Sequence, residues 1–418
     1  MAGEPRPHYS PECVGEVFSE DGVRRPTLYA VPCSGLQLST SSKRAQWKED
    51  RPMSDGSRET PMATAGLDLG DNYTYLCLLD IQSGEVLEEG RLRTTPEAFK
   101  QRFDSEQQLR IAIEVGTHSP WISRLLEELG HEVLVANPRK IRLIYANKRK
   151  SDKLDAENLA RLARVDAKLL YPLKHRGENS QAHLALIRSR EALVGSRTQL
   201  INHVRGAVKS FGARLPKCSA RSFHHKVAEE IPQALRAALA PILEIIASLT
   251  ERIRDYDRKL EKLAGEHYPE TELLRQVVGV GALTALTFVL TLEDPRRFAK
   301  SRSVGAYLGL VPAKDQSGER DPQERISKEG DEMLRRLLVG SAHYILGPFG
   351  RDSDLRRHGL KIASRGGKNA KKRAAVAVAR KLSVLLHRLW ITGELYQPLY
   401  NTQRDPQAGR LRVPTTIS

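Results

Sequence analysis

Four acidic side chains carry the first chemical suggestion in this sequence. Asp152 and Asp155 stand three apart in "KSDKLDAENLAR", at the end of a cationic run, and residues so spaced share one face of a helix. Two carboxylates placed this way could hold a divalent cation beside a phosphate delivered by the neighbouring Lys148, Arg149, Lys150 and Lys153. The same pair also suits a helix start, with Asp152 as N-cap and Asp155 in the first turn, complementing the positive end of the helix dipole. The other two acids need a different explanation. Asp68 interrupts the apolar "GLDLG" and Glu114 closes the apolar run "IAIE", positions where a carboxylate without a partner is costly to bury. If these segments are adjacent strands, all four carboxylates meet at one sheet edge. Two Mg²⁺ ions at a separation of about 4 Å, the arrangement of two-metal phosphoryl transfer, would relieve their repulsion.

The elements that must position these acids are legible from residue 65 onward. "AGLDLG" reads as a short buried strand, "YTYLCLLD" as an alternating one, and "EVLEEGRLR" as a third, joined to the second by the turn "IQSG". A helix at 96–103, the strand "LRIAIE", a helix from Ser119 to Leu129, the strand "HEVLVAN" and the helix opening at Asp152 follow. Three hairpin-connected strands followed by alternating helices and strands predict a mixed sheet with helices on its faces, in the order of the α/β ribonuclease H-like fold. Residues 1–62 are rich in Pro, Ser, Gly and charge without sustained periodicity, and are expected to form a disordered extension.

Beyond 178 the pattern turns helical. Leu235, Ile242, Leu249, Tyr256 and Leu263 recur every seven residues, and Leu239, Ile246, Ile253 and Leu260 recur every seven between them. This is a coiled-coil seam, read here as a surface for self-association into a dimer or tetramer, with packing onto the chain's own domain as the alternative. "VVGVGALTAL" has the shape of a helix, a tight Gly-containing turn and a second helix, as in hairpin motifs whose backbone N–H groups grip a phosphate. The polar stretch "GLVPAKDQSGERDPQERISKEG" leads into the helix "DEMLRRLLVGSAHYIL", and "KIASRGGKNAKKRAAVAVARK" is heavily basic. Arg325, Lys328, Arg335, Arg336, Lys368, Lys371, Lys372 and Arg373 are the candidate phosphate contacts in this half, an exposed helix face being the plainer alternative. The domains expected are 1–62, the extension; 63–178, the acid-bearing α/β domain; 179–268, the helical coiled-coil region; 269–345, a mainly helical domain; and 346–418, a basic helix and tail.

Composition agrees with a polyanionic partner. The 418 residues carry a formal charge of +16, with a pI near 9.7, which points to nucleic acid. The most apolar stretch, "VVGVGALTALTFVLTL" at 277–292, is too short and too Gly/Thr-rich for a membrane span, so no membrane association is expected. Cys13, Cys33, Cys77 and Cys218 lack CxxC spacing, which argues against a structural zinc site and a disulfide framework and for a reducing, cytoplasmic setting.

Taken in order, Asp68 in "GLDLG", Glu114 in "IEVGTHSPW" and the pair in "KSDKLDAENLAR" resemble the DEDD motif of transposases of a group of bacterial insertion sequences, whose catalytic domain is similar to Holliday-junction resolvases of the RuvC type. The similarity continues through "RTQLINHVRG", "GVGALTAL", "RSVGAYLGLVP", "QSG" and "RISKEGDEMLRRLL", spanning about residues 64–345. The resemblance implies a RuvC-like domain and a C-terminal transposase domain that act together on donor and target DNA. It implies sites chosen by an element-encoded guide RNA, Mg²⁺ at Asp68, Glu114, Asp152 and Asp155, and a serine nucleophile that links covalently to DNA. Carried onto this chain, the serine is Ser317 in "DQSGER", with Ser327 in "RISKEG" as the rival. A bacterial protein associated with the nucleoid when active is implied as well. From the residues alone, a metal-dependent structure-specific nuclease that uses water, and a decayed nucleic-acid-binding protein, remain alternatives.

Overall fold

The computed structural model describes residues 63–401, other than 105–106, 142–150, 315, 317, 319–321 and 323. The chain divides into two units, Met1–Thr60 and Pro61–Ser418, and every described residue belongs to the second. The expected extension at 1–62, together with Lys148, Arg149, Lys150 and Ser317, lies outside the described residues.

Five strands, β1 (Ala63–Leu69), β2 (Tyr73–Asp80), β3 (Val86–Arg93), β4 (Arg110–Glu114) and β5 (Glu132–Ala136), form one sheet in the order β3-β2-β1-β4-β5. The first three pair antiparallel as hairpins, whereas β1–β4 and β4–β5 pair parallel. This is the mixed sheet that the alternation predicts. Its central strands are buried, and the edge strand β3 is exposed and charged, which blunts pairing with another chain. On one face, Ala65, Leu67, Ile111 and Ile113 pack with α1 (Pro96–Phe103) and α2 (Ser119–Glu128) through Phe99, Phe103, Ile122 and Leu126. α1 opens on Thr95, whose hydroxyl accepts from Ala98 N–H, with Pro96 at the first helical position.

The opposite face is covered by α3 (Asp152–Val165), and here a glycine decides how close the layers come. A Cβ built on Gly66 would lie 2.0 Å from Ala156 O and 2.5 Å from Ala160 N, so the α3 backbone rests directly on β1. Only glycine permits that approach. The Arg164 guanidinium donates to the carbonyls of Ile81 and Gln82, tying the C-terminal end of α3 to the β2–β3 turn. Helix and β1 therefore run antiparallel, and the α3 N-terminus lies beside the C-terminal end of β1.

A pair of long helices follows, α4 (Glu178–Ser210) and α5 (Gln233–His267). They run antiparallel: Arg190 Nε donates to Asp257 at 2.6 Å, Arg197 reaches Thr250, and Val204 and Val208 share a cluster with Leu239, Leu243 and Ile246. For the inner row of the heptad stripe this is the alternative reading, packing within the chain. That row, Leu239, Ile246, Ile253 and Leu260, is buried, and α4 of the same chain fills it. By length and composition α5 would pass as a membrane span, but its apolar stripe is the surface that meets α4.

Further helices include α6 (Ala282–Leu292), α7 (Arg302–Tyr307), α8 (Glu332–Leu346), α9 (Asp354–Ala363) and α10 (Ala370–Thr392). Their core gathers Phe288, Val304, Leu338, Val378, Leu382 and Leu386. The expected helix-turn-helix at "VVGVGALTAL" is present: a short helix, Glu270–Arg275, a turn with Gly279 at φ +94°, and Gly281 as the N-cap of α6.

Candidate active site

β1 and β4 pair with Gly66 beside Ala112 and Leu67 beside Ile113, so the next step of the same register sets Asp68 beside Glu114. Alternation along the strands turns both acids to the face that carries Gly66 and Ala112, which is the face α3 covers. Because α3 runs antiparallel to β1, its first turn, with Asp152 and Asp155, reaches the same end. All four carboxylates thus belong to one end of one sheet face.

Local structure explains the pair on α3 and corrects one expectation. The N-cap is Ser151, not Asp152: Ser151 has extended backbone (φ −148°, ψ 143°), and its hydroxyl accepts from Leu154 N–H at 3.3 Å. Asp152 is therefore the first helical residue and is exposed, whereas Asp155, one turn on, is 7% exposed. The side-chain cap is thus supplied by a neutral serine, and the two carboxylates are first-turn charges at the positive end of the helix.

A donor set made only of carboxylate oxygens suits a hard cation such as Mg²⁺. As they stand, however, no three His, Cys, Asp or Glu side chains among the described residues gather closely enough to hold a metal ion. The expected tetrad shares an edge without closing a coordination sphere. Beside it, burial and the nearby Glu157 and Glu89 push the Cys77 thiol up to about 11, so it stays protonated at neutral pH. Lys153 is drawn away from the acids into an ion pair with Glu89 at 2.6 Å.

Nothing in the spacing of the acids points to His118 and Asp71, yet both sit in the loops just past β4 and β1. His118 Nε2 lies 3.3 Å from Asp71 Oδ1, and Trp121 Nε1–H donates to His118 Nδ1 at 3.1 Å, which assigns the proton of the neutral ring to Nε2. The segment "THSPW" that supplies the histidine and the tryptophan is the only sequence signal for this pair.

The loop that contains Ser317 springs from a two-stranded neck. Ala313 N–H donates to Arg325 O and Ser327 N–H to Val311 O, with Pro312 bridged to Ile326. Below the neck two backbone segments cross almost in contact: a Cβ on Gly330 (φ +75°) would lie 2.1 Å from Tyr307 O, and one on Gly309 (φ +65°) 2.3 Å from Glu329 N. The Arg335 guanidinium donates to the carbonyls of Leu308, Glu329 and Gly330, fastening the crossing rather than facing solvent. Ser327 belongs to the neck itself, where its hydroxyl accepts from Glu329 N–H and the next residue, Lys328, takes φ +56°. Ion pairs lead from here to the rest of the molecule: Glu329 with Lys140 past β5, Asp331 with Arg176 and Arg188, and Arg336 with Glu191 on α4. Gly330→Ala should therefore loosen the neck. Its expected signature is raised protease cutting between 311 and 330 and a stability loss of about 2 kcal/mol in denaturant melts.

Comparison with known proteins identifies the family. The chain matches a DEDD transposase family model over residues 65–212 and the "Transposase IS116/IS110/IS902 family" model over 271–352. It is 30% identical to a putative transposase, y4pF/y4sB, of Sinorhizobium fredii across 71% of this chain and 76% of that one. The chain belongs to the IS116/IS110/IS902 transposase family. The transposase for insertion sequence element IS1111A of Coxiella burnetii is 28% identical across 79% of this chain and 90% of that one. The transposase for IS1328 of Yersinia enterocolitica is 29% identical across 66% and 82%. Among solved structures, T. thermophilus RuvC in complex with a Holliday junction substrate is similar at 17% identity and a TM-score of 0.20, covering 25% of this chain and 97% of that one. The sheet order and the helix laid across it make the first domain of this transposase α/β ribonuclease H-like, with a helical C-terminal region.

Proposed function

We propose that this transposase cuts and rejoins DNA through the joint action of the acidic sheet edge and Ser317. The observation that carries this reading is the register that pairs Asp68 with Glu114 at the end of the face where α3 presents Asp152 and Asp155. Mg²⁺, held by these four carboxylates, would supply neutralisation of charge on the scissile phosphate. The Ser317 hydroxyl attacks phosphorus, its proton passing to a carboxylate; the bond from the serine oxygen to phosphorus forms as one backbone P–O bond breaks, and the leaving strand oxygen takes up a proton from that carboxylic acid to become a free hydroxyl. The hydroxyl of another strand then reverses the step and rejoins the DNA. Arg325 and Lys328, at the neck of the serine loop, neutralise flanking phosphates.

An element-encoded guide RNA pairing with donor and target DNA selects the sites, in keeping with the +16 charge. A dimer or tetramer formed through α5 would use its half-buried outer row, including Ile242 and Leu249, since the inner row is filled.

The test is expression with the native flanking DNA and sequencing for a circular excision junction. The wild type should yield the junction, and Ser317→Ala should lower it by about a thousandfold or more. Junctions made by Ser317→Ala at the wild-type level would remove the serine from the reaction; strand breaks without junctions in both would leave a nuclease that uses water.

A further inference from the structure

A cleft of about 2050 Å³ runs across the C-terminal domain, between α7, α9 and α10, from the neck of the serine loop to the segment around Tyr396 and Tyr400. It is larger than the pockets that enclose small ligands. Nine of its lining residues are Lys or Arg and three are Asp or Glu. Two of those acids are engaged locally, Glu394 with Arg388 and Asp354 with Asn401.

Among the described residues, most of the basic side chains on the walls form no ion pair. Along α4 and α5, Arg190, Arg254 and Arg258 each pair with a carboxylate. Among the described residues, Arg302, Arg325, Arg365, Lys372, Arg380 and Lys381 form no such pair, and α10 contains no acid at all. The helix also begins with Lys371, Lys372 and Arg373 at its positive end, without an acid in the first turn or a side-chain cap on Asn369. Three cations there are unfavourable until an anion joins them. Burial and the nearby Lys381, Arg365 and Lys361 hold the His358 imidazole below its ordinary pKa, as expected of a strongly positive wall.

The floor is different in kind. Along α10, Lys372, Val376, Arg380, Val384 and Arg388 follow at four-residue steps, basic and apolar in turn. Beside them run Arg373, Ala377, Lys381 and Leu385. Basic positions therefore recur about every 12 Å along the helix, with half-exposed apolar side chains midway. The stem of Arg380 packs on Gly305 of α7, where an added Cβ would meet Arg380 Cγ at 3.1 Å. At the far end the Arg388 guanidinium lies over the Tyr400 ring at 5.3 Å.

A duplex offers phosphates outside and keeps its bases stacked within, so an apolar floor between rows of cations has nothing to receive from it. An unpaired strand offers both. We infer that this cleft binds a single, unpaired strand of DNA, with its backbone along the cationic walls and its bases on the Val376–Val384 floor, and leads it toward the serine loop. The direction toward Ser317 rests on the function proposed above; the binding itself does not.

The test is fluorescence anisotropy with the full chain, titrated into a labelled oligothymidylate of about 20 nucleotides, a duplex of that length and an oligouridylate, at several salt concentrations. The oligothymidylate should bind at least about tenfold more tightly than the duplex, the worth of one stacked base. Lys381→Gln should weaken that binding and flatten its dependence on log salt by about 0.7. Val384→Asn should weaken it by about tenfold with the salt slope unchanged and duplex binding unaffected. Asp68→Asn should bind as the wild type does, even where excision fails, which separates failure of the cleft from failure of the acidic site. Tighter binding of the duplex, tighter binding of oligouridylate, or an unchanged oligothymidylate Kd in Lys381→Gln, whose side chain is exposed and leaves the core intact, would overturn the inference.

Discussion

Asp152→Asn is expected to lower excision by about a thousandfold or more while costing only about 0.5 kcal/mol of stability. Asp152 is exposed, so the substitution removes one favourable charge from the positive end of α3 and little buried packing. Ser151→Ala should show the reverse pattern. It deletes the hydroxyl that accepts from Leu154 N–H, at a cost of about 1 kcal/mol, yet leaves the four carboxylates in place. Junction sequencing and thermal melting of the two variants decide between catalysis and capping. If Asp152→Asn kept its activity per folded molecule, the acids of α3 would be reduced to helix-end charges.

The second large effect is on folding. Gly66→Ala should destabilise the chain by about 3 kcal/mol or more, because the added methyl would lie 2.0 Å from a backbone oxygen of α3 and neither layer can yield by rotating a side chain. Lifting α3 would also draw Asp152 and Asp155 away from Asp68 and Glu114. Loss of the acid edge should therefore accompany loss of stability, read as a lower denaturation midpoint and a missing excision junction in the same preparation. A variant that melts like the wild type would show that the helix does not rest on β1.

Much of the sheet was legible because it is written in a period of two. "YTYLCLLD" alternates along β2, and the apolar runs ending in Asp68 and Glu114 mark the two central strands whose ends carry the acids. What the pattern could not supply was the partner of each surface. The heptad stripe of α5 is real, but a stripe does not say which helix covers it, and α4 of the same chain reaches it first. The start of α3 at Asp152 was legible, but its cap was not, since Ser151 and Asp152 are both good caps and only backbone dihedrals separate them. Gly66, the crossing of Gly309 with Gly330, and the use of Arg335 as its clasp depend on segments far apart in sequence meeting backbone to backbone. The basic and apolar alternation of "KKRAAVAVARKLSVLLHR" was visible as charge, but became a cleft only once α7 and α9 stood beside it.

The most direct test of the joint acid and serine site is to incubate the purified protein, its copurifying RNA, Mg²⁺ and labelled element-end DNA, then separate the products on a denaturing gel. A labelled species that enters the gel at protein size and disappears on protease treatment should form with the wild type and be absent from both Ser317→Ala and Asp152→Asn. Cleaved DNA without any such species in the wild type, or its persistence in Ser317→Ala, would contradict strand exchange through a covalent serine link.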